Sequence, residues 1–310
     1  MNVFAGFDGH SGGRTALHVM GITPTKYYAS EVDKYAMQAS AAVFPDIIQM
    51  GDITKWREWD INWSTIYLFI GGSPCQGFSM AGKMAGTTAM LDGEKVVVDT
   101  REKYLELKEA GAEFLSQSYL FWEYILLLDN VKLVNPKVKF FLENVKMKKE
   151  FLNLISNAIG VEPVFINSAL LSAQNRQRYY WCNWDVTQPA DKGIALADIL
   201  ESGEACELMT TKQDKSFVLT ARYNGAVAWN SIERKQRTMI KEHGTSEKYR
   251  KLTPRECGRL QTIPEPILDT LLSAGISNSQ LYKMFGNGWT IDIIVHIFSQ
   301  ANLHTNKIRI

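Results

Sequence analysis

Short apolar runs alternate with amphipathic stretches through the first half of the chain. The apolar runs predict strands at 2–7, 26–30, 66–70, 138–142, 164–168 and 178–181. The amphipathic stretches predict helices at 12–20, 32–44 and 119–128. Because strands that alternate with helices are typical of a mostly parallel, doubly wound sheet, we expect an α/β fold.

Two segments interrupt this alternation. Residues 80–114 are polar and form a longer connection than usual, which suggests a mobile lid. From about 186 to about 270 the alternation fades, and it gives way at 277–301 to an apolar helical pattern that we expect to pack back on the sheet. We therefore predict a main domain at 1–185, a second, smaller domain at 186–271 and a C-terminal segment at 272–310.

Composition narrows the function classes only slightly. The chain has 310 residues, 45% hydrophobic and 22% charged, which is ordinary for a soluble globular protein. No apolar run approaches the ~18 residues that cross a bilayer, and the chain starts directly into a strand rather than a leader. Its four cysteines are scattered without CxxC pairs, which predicts neither a zinc site nor a disulfide framework.

A net charge of +1 conceals a basic stretch at 212–255. This stretch holds eleven Lys and Arg residues against four Asp and Glu residues, and Tyr223, Trp229 and Tyr249 lie among the cations. Cations interleaved with aromatic rings suit phosphate contacts and base stacking. Since a charge run is more often a solvated surface, the stretch only supports a nucleic-acid partner.

The junction after the strand at 66–70 carries the strongest chemical signal. Residues 71–77, GGSPCQG, stop that strand abruptly and present the thiol of Cys75 in a turn. In open α/β sheets ligands bind at the carboxyl ends of the strands, and a Cys beside closely approaching backbone is a candidate nucleophile. Free cysteines are usually inert buried residues, so the segment alone leaves both interpretations open.

Three features in chain order predict an adenosine pocket. The loop FDGHSGG at 7–13 follows the first strand and opens a helix, where glycines let backbone N–H groups approach a ligand. Glu31 ends the second strand, where nucleotide-binding folds place an acid on ribose hydroxyls. Asp52 supplies another acid at the edge of a third strand.

Further polar residues end the later strands. Glu143 ends the strand at 138–142, so its carboxyl joins Cys75 at the same sheet edge and can serve as a general acid. Arg176 and Arg178 alternate on the next strand, which puts both guanidinium groups on one face. Such a pair can bind a phosphate and orient a carboxylate.

Taken in order, these segments resemble the DNA (cytosine-5) methyltransferase family. Five motifs carry the resemblance: GGSPCQG at 71–77, FFLENV at 140–145, QNRQRYYW at 174–181, TPRECGRLQ at 253–261 and FGNGW at 285–289. The FDGHSGG loop and the GNGWT segment are most similar to the phage and vertebrate de novo branch, which suggests a phage or prophage enzyme. The insertion between Lys83 and Tyr119 departs from the shorter family pattern.

The resemblance implies a Rossmann-like catalytic domain, a target-recognition domain, and methyl transfer from S-adenosylmethionine to C5 of a cytosine flipped out of DNA. It implies that Cys75 attacks C6 and that Glu143 acts at the N3 edge with Arg178 as helper. It counts Arg176 in the catalytic set, where Gln174 and Arg176 would support the active-site geometry, and it implies that residues 255–261 organise the recognition domain. The implied cofactor contacts are Phe7, Asp8, Gly9, Gly12, Glu31, Val32, Asp52, Ile53, Pro74, Asn287 and Trp289. The implied DNA contacts are Gln76, Ser79, Lys83, Arg222, Tyr223 and Arg255.

We therefore expect a monomeric DNA (cytosine-5) methyltransferase that uses S-adenosylmethionine and no metal, acts on double-stranded DNA, and works in the cytoplasm of a bacterial host or phage-infected cell. Two alternatives are an RNA cytosine-5 methyltransferase, since a relative of this family acts on transfer RNA, and a catalytically inactive DNA-binding homologue. A nucleotide-binding dehydrogenase is disfavoured because the GxGxxG fingerprint is missing from the sequence.

Overall fold

A computed structural model describes residues 1–74, 77–78, 88–242 and 248–303. The strands in these parts are β1 (Asn2–Gly6), β2 (Lys26–Ser30), β3 (Ile48–Gln49), β4 (Ile66–Gly71), β5 (Thr88–Leu91), β6 (Glu94–Val97), β7 (Glu113–Phe114), β8 (Lys139–Val145), β9 (Val164–Asn167), β10 (Gln177–Cys182), β11 (Glu204–Ala205), β12 (Met239–Lys241) and β13 (Tyr249–Lys251). The α-helices there are α1 (Gly12–Val19), α2 (Lys34–Val43), α3 (Arg101–Glu109), α4 (Leu120–Val134), α5 (Lys149–Ile159), α6 (Ala228–Ile232), α7 (Pro254–Leu260), α8 (Glu265–Ser273), α9 (Asn278–Asn287) and α10 (Ile291–Ser299).

Seven strands of the described chain form one central sheet in the order β3-β2-β1-β4-β8-β10-β9. The pairs from β3 to β8 are parallel, whereas β10 runs antiparallel to both β8 and β9. The mostly parallel α/β sheet predicted from the sequence is therefore confirmed. Because the chain turns to opposite sides of β1 to form β2 and β4, the topological switch point lies between β1 and β4, where ligands bind in such sheets.

Both faces of the central strands are buried, which is why these strands are almost continuously apolar in the sequence. Val3 and Ile70 belong to a core cluster on one face, which also contains residues of α1 and α10. Phe4 and Phe69, one residue along each strand, belong to a second cluster that contains residues of α4 and α5. The sheet is thus covered on both sides, and its polar strand ends are left for a site.

The predicted lid at 80–114 needs correction over its described part. Residues 88–114 form a small folded unit, in which β5, β6 and β7 make a three-stranded sheet and α3 precedes β7. The side chain of Tyr104 on α3 is fully buried and contacts the rings of Phe114 and Tyr119. Aromatic burial of this kind makes the unit a subdomain packed against α4. Residues 80–87 of the predicted lid lie outside the described residues.

The later part of the described chain combines a small sheet with several helices, two of which contact helices of the main domain. Strands β11, β12 and β13 form an antiparallel sheet. Helix α7 packs against α8 and α9, α8 contacts α2, and α10 lies along α1. The helical pattern at 277–301 thus corresponds to α9 and α10, whereas the division into domains at 185 and 271 stays a prediction.

Candidate functional site

A buried hydrogen-bond network holds the turn after β1. The Asp8 carboxylate accepts hydrogen bonds from the Tyr27 hydroxyl at 2.7 Å and the Ser11 hydroxyl at 2.6 Å. Burial raises the pKa of Asp8 to about 7. The Asp8 carboxylate therefore forms hydrogen bonds within the protein, and these bonds stabilise the loop predicted to contact the cofactor.

The same turn adopts left-handed backbone at Phe7 (φ 57°), Gly9 (φ 59°) and Ser11 (φ 64°). Non-glycine residues in this region cost free energy and persist only where the surroundings enforce them. Among the described residues, no atom lies within 4 Å of the position that a Cβ on Gly9 would occupy, so the backbone at Gly9 borders open space there. Helix α1 begins at Gly12, against the ring of Trp289. The loop therefore has the constrained, open form that a ligand needs.

Glu31 ties the ends of β1 and β2 together. Its carboxylate accepts hydrogen bonds from the backbone N–H of Gly9 at 2.8 Å, of Val32 at 2.7 Å and of Asp33 at 2.8 Å. Charge-assisted bonds to backbone amides are strong, so this carboxylate has one fixed orientation. The side chain of Val32 is 70% exposed beside it.

Asp52 follows β3 and caps the short 3₁₀ helix at Ile53–Glu58 by accepting a hydrogen bond from the Thr54 N–H at 2.9 Å. The Ile53 side chain is 2% exposed and faces Gly6 at the end of β1. Glu31 and Asp52 therefore stand at the carboxyl ends of adjacent strands, as the sequence predicts.

The loop after β4 is anchored on both sides of Cys75. The Asn144 amide donates to the backbone oxygen of Ser73 at 3.3 Å and to its hydroxyl at 3.1 Å. Beyond the loop, the Gly77 N–H donates to the buried Ser118 hydroxyl at 2.8 Å, and Phe78 is fully buried. Pro74 is the last described residue before Cys75. The predicted site residues Cys75, Gln76, Ser79 and Lys83 lie outside the described residues.

Glu143 lies near the end of β8 and is 8% exposed. Its Oε1 forms an ion pair with Arg178 Nε at 2.9 Å, and its Oε2 accepts a hydrogen bond from Trp289 Nε1 at 3.0 Å. Arg178 faces it from the antiparallel neighbour β10. The predicted juxtaposition of Glu143 with Arg178 at this edge is present in the structure.

Arg176 has a different role from Arg178. Its guanidinium is 3% exposed and donates to the backbone oxygens of Leu219 at 2.9 Å, Gly286 at 3.3 Å and Gly288 at 2.8 Å. These contacts fasten the start of β10 to the C-terminal segment. The predicted phosphate site shared with Arg178 is therefore wrong, whereas these contacts fit the supporting role in the active-site geometry that the resemblance implies for Arg176.

The C-terminal segment enters the site between α9 and α10. Asn287 ends α9 and is exposed, as a cofactor contact would need to be. A buried network that the sequence did not reveal holds this segment: Gln174 donates to Gln261 at 2.9 Å, and Thr290 donates to the same Gln261 side-chain oxygen at 3.0 Å. Contacts between residues so far apart in sequence leave no local signal, although both glutamines lie within the quoted motifs.

The predicted DNA contacts divide into exposed and buried residues. Arg222 is exposed, but Tyr223 is 1% exposed, and its hydroxyl donates to the Thr238 oxygen at 2.6 Å and accepts from the Leu252 N–H at 2.8 Å. The predicted contact of Tyr223 with DNA is therefore wrong, since both its ring and its hydroxyl are used in the core. The aromatic ring that is available nearby belongs to Trp229, which is 58% exposed.

Arg255 on α7 is engaged within the protein. Its guanidinium pairs with Glu265 at 2.6 Å, Asp269 at 2.7 Å and Glu201 at 3.5 Å. These carboxylates neutralise its charge and fit the predicted role of 255–261 in organising the recognition domain, while a contact of Arg255 with DNA stays a prediction. Arg255 joins α7 to α8.

The described parts of the chain contain neither a candidate metal site nor a candidate membrane-spanning helix. No group of three or more His, Cys, Asp or Glu side chains there could hold a metal ion. No helix among the same residues is long and apolar enough to cross a membrane.

Comparisons with known proteins identify the family of this chain. The model of the C-5 cytosine-specific DNA methylase family matches residues 1–103 and 166–302. The chain is 28% identical over 307 residues to the type II methyltransferase M1.ScrFI of Lactococcus lactis subsp. cremoris, covering 86% of this chain and 69% of that protein. It is 47% identical over 72 residues to the orphan methyltransferase M.Rho11sI of Bacillus phage rho11s, covering 21% of this chain and 14% of the phage protein.

Solved structures extend the likeness to the fold. The S. pombe Dnmt2 methyltransferase superposes with a TM-score of 0.65 at 15% identity, covering 97% of this chain and 98% of that one. Since the family model spans most of the sequence, including the cofactor loop and the Cys75 motif, the chain belongs to the C-5 cytosine-specific DNA methylase family.

Proposed function

We propose that this chain transfers a methyl group from S-adenosylmethionine to C5 of a flipped-out cytosine in DNA, through a covalent bond between Cys75 and cytosine C6. One observation carries the proposal. Glu143, held by Arg178 and Trp289, ends the strand next to β4, and the loop after β4 is anchored at Ser73 and Gly77 on either side of Cys75.

The sheet edge at the switch point fits S-adenosylmethionine. The constrained loop at 7–11, the oriented carboxylate of Glu31 and the acid Asp52 border the open space at Gly9. Carboxylates at the ends of β2 and β3 suit ribose and amine hydrogen bonds, and a loop of exposed backbone suits the rest of the molecule. S-adenosylmethionine, when bound, supplies an electrophilic methyl group on a positively charged sulfur.

Cytosine C5 is a poor nucleophile because the ring is aromatic and electron-poor. Addition of the Cys75 thiolate to C6 forms a carbon–sulfur bond and moves the pair of the C5–C6 double bond toward C5. C5 can then take the methyl group, after which loss of the C5 proton and of the sulfur restores the ring and the thiolate. An ordinary thiol, with a pKa of about 8.5, is only a few per cent ionised at pH 7, so this residue needs a favourable environment.

Glu143 completes the activation. A proton or hydrogen bond at N3 neutralises the negative charge that thiolate addition would otherwise leave on the ring. Contact with the exocyclic amine would favour cytosine over thymine, because thymine presents a carbonyl oxygen there. Arg178 keeps the Glu143 carboxyl in place from β10.

The proposed reaction requires the target cytosine to leave the DNA duplex. The reactive carbons lie inside a duplex stack, so the nucleotide must be extruded at a cost of a few kcal/mol. Exposed Arg222 and Trp229 lie in the segment that we propose to contact the duplex. The match of the DNA methylase family model and the type II relatives support DNA over RNA.

Tritiated S-adenosylmethionine, duplex DNA and transfer RNA test the proposal directly. We expect label in DNA, cytosine C5 methylation by bisulfite sequencing, and a denaturation-resistant adduct at position 75 with 5-fluorocytosine DNA. Cys75→Ala should bind DNA and S-adenosylhomocysteine but transfer nothing, while Cys206→Ala should stay active.

Methyl transfer by Cys75→Ala would refute the covalent mechanism. Label in transfer RNA alone would identify an RNA enzyme, and DNA binding without transfer by the unmodified chain would identify an inactive homologue.

A further inference from the structure

Trp289, which the sequence predicts as a cofactor contact, also forms a hydrogen bond with Glu143. The indole Nε1 donates to Glu143 Oε2 at 3.0 Å, while Glu143 Oε1 pairs with Arg178 at 2.9 Å. Arg178 belongs to β10 and Trp289 to the segment that follows α9. Each oxygen of the carboxyl is therefore held by a separate part of the chain.

The indole also lies against the loop that leads to Cys75. A Cβ on Gly72 would lie 2.9 Å from Trp289 Nε1 and 3.2 Å from Glu143 Oε2, so only glycine leaves room for the pair at this point. The indole is also supported by Phe141, whose ring packs edge-on against it at 5.3 Å between centroids. These contacts leave the indole little freedom to turn away from Glu143.

A glutamate needs such support to recognise one edge of a base. Its carboxyl turns about a broad terminal torsion, and bidentate contact with N3 and the exocyclic amine requires one plane. Because each carboxylate oxygen has two lone-pair positions, Oε2 keeps a position for the cytosine after accepting the Trp289 N–H, and Oε1 meets Arg178 as an ion pair.

We infer that Trp289 is a positioning residue for methyl transfer, whose indole N–H sets the plane of the Glu143 carboxyl for the N3 and amine edge of cytosine. The inference rests on the proposed function, because it assigns Glu143 to that edge. It adds a role that a cofactor contact of Trp289 would not provide.

Trp289→Phe removes the N–H and keeps an aromatic ring. A lost hydrogen bond to a charged group corresponds to roughly a tenfold to hundredfold lower rate. We expect that loss in single-turnover methyl transfer at saturating DNA and S-adenosylmethionine, with the Kd of S-adenosylhomocysteine changed less than about twofold. Gly72→Ala should lower the same rate, and the double variant should lose less than the product of the two single losses.

Trp184→Phe is the matched control. Trp184 is also half-buried, and its Nε1 donates to the Ile297 oxygen at 3.1 Å, outside the site. Trp184→Phe should keep the methyl-transfer rate of the unmodified protein. Thermal unfolding of all variants would measure how much stability is lost when any indole is replaced by a phenyl ring.

The outcomes separate the inference from the proposed function. An unmodified chain that neither methylates cytosine nor forms the 5-fluorocytosine adduct would refute the proposed function. An active unmodified chain whose Trp289→Phe variant keeps the full rate would overturn the inference alone. A weakening of S-adenosylhomocysteine binding by the same factor as the rate would also overturn it, since Trp289 would then act through the cofactor.

Discussion

Glu123 on α4 is the buried group that attaches the 88–114 subdomain. Its side chain is completely buried and accepts hydrogen bonds from the Tyr104 hydroxyl at 2.6 Å and from Trp56 Nε1 at 3.2 Å. Lys108 Nζ also pairs with it, and Arg57 lies 3.7 Å away. Tyr104 and Lys108 belong to α3, whereas Trp56 and Arg57 belong to the 3₁₀ helix after Asp52. One carboxylate thus joins the subdomain to the edge proposed for the cofactor.

Glu123→Ala should therefore destabilise the protein strongly. The buried hydroxyl of Tyr104 and indole N–H of Trp56 would lose their acceptor, at about 1–3 kcal/mol each. Lys108 and Arg57 are 40% and 49% exposed, so water can solvate them and they add little. We expect a loss of about 3–5 kcal/mol in the free energy of unfolding, measured by urea titration.

Two further measurements make this prediction specific. Glu106→Ala, on α3 but 67% exposed and paired only at the surface with Lys103 in the described structure, should change stability by no more than about 0.5 kcal/mol. Limited proteolysis of Glu123→Ala should cut first within 88–114, and S-adenosylhomocysteine should bind more weakly because the helix after Asp52 loses its anchor. A loss of unfolding free energy below about 1 kcal/mol would refute the reasoning, since leaving two buried donors unpaired should destabilise the protein by more than that.

Two other predictions concern Asp8 and the recognition segment. Burial raises the pKa of Asp8 from 3.8 to about 7, so between these pH values the folded state binds more protons than the unfolded state. The unfolding free energy of the unmodified protein should therefore fall, relative to that of Asp8→Asn, as the pH rises from 5 to 8. Urea titrations of both proteins at both pH values would contradict this prediction if the difference stayed constant or reversed. Tyr223→Phe should lose about 1–3 kcal/mol of stability with unchanged DNA affinity, whereas Trp229→Ala should weaken DNA binding with little loss of stability, and the opposite pattern in binding assays would refute the assignment.

The sheet could be predicted because its signals are local. Strand β2 has the bounds 26–30 in both the sequence pattern and the structure. The strand predicted at 66–70 is one residue longer in the structure and ends at Gly71. Turn residues and buried apolar runs specify these elements without reference to distant parts of the chain. The order of polar residues at their ends then follows from the parallel topology.

Tertiary burial explains the errors. Tyr223 lies among cations in the sequence, but its ring is buried in the core. Its hydroxyl forms hydrogen bonds with the backbone of Thr238 and Leu252, which are 15 and 29 positions away. Arg176 differs from Arg178 only in which distant group it meets, since backbone oxygens from α9 and its C-terminal end take its donors. The subdomain at 88–114 was missed because its helix α3 is rich in charge, and its buried anchor, Glu123, lies outside it.

The precision of the site comes from these long-range contacts rather than from the motifs alone. The motif at 140–145 supplies Glu143 for the reaction and Asn144 for the loop, and adjacent residues on a strand point to opposite faces. One residue pair on β8 therefore positions both the acid and the peptide that leads to Cys75. A shift of β8 by a single residue would exchange these two faces, which is why the strand must be buried and paired on both sides before the chemistry can work.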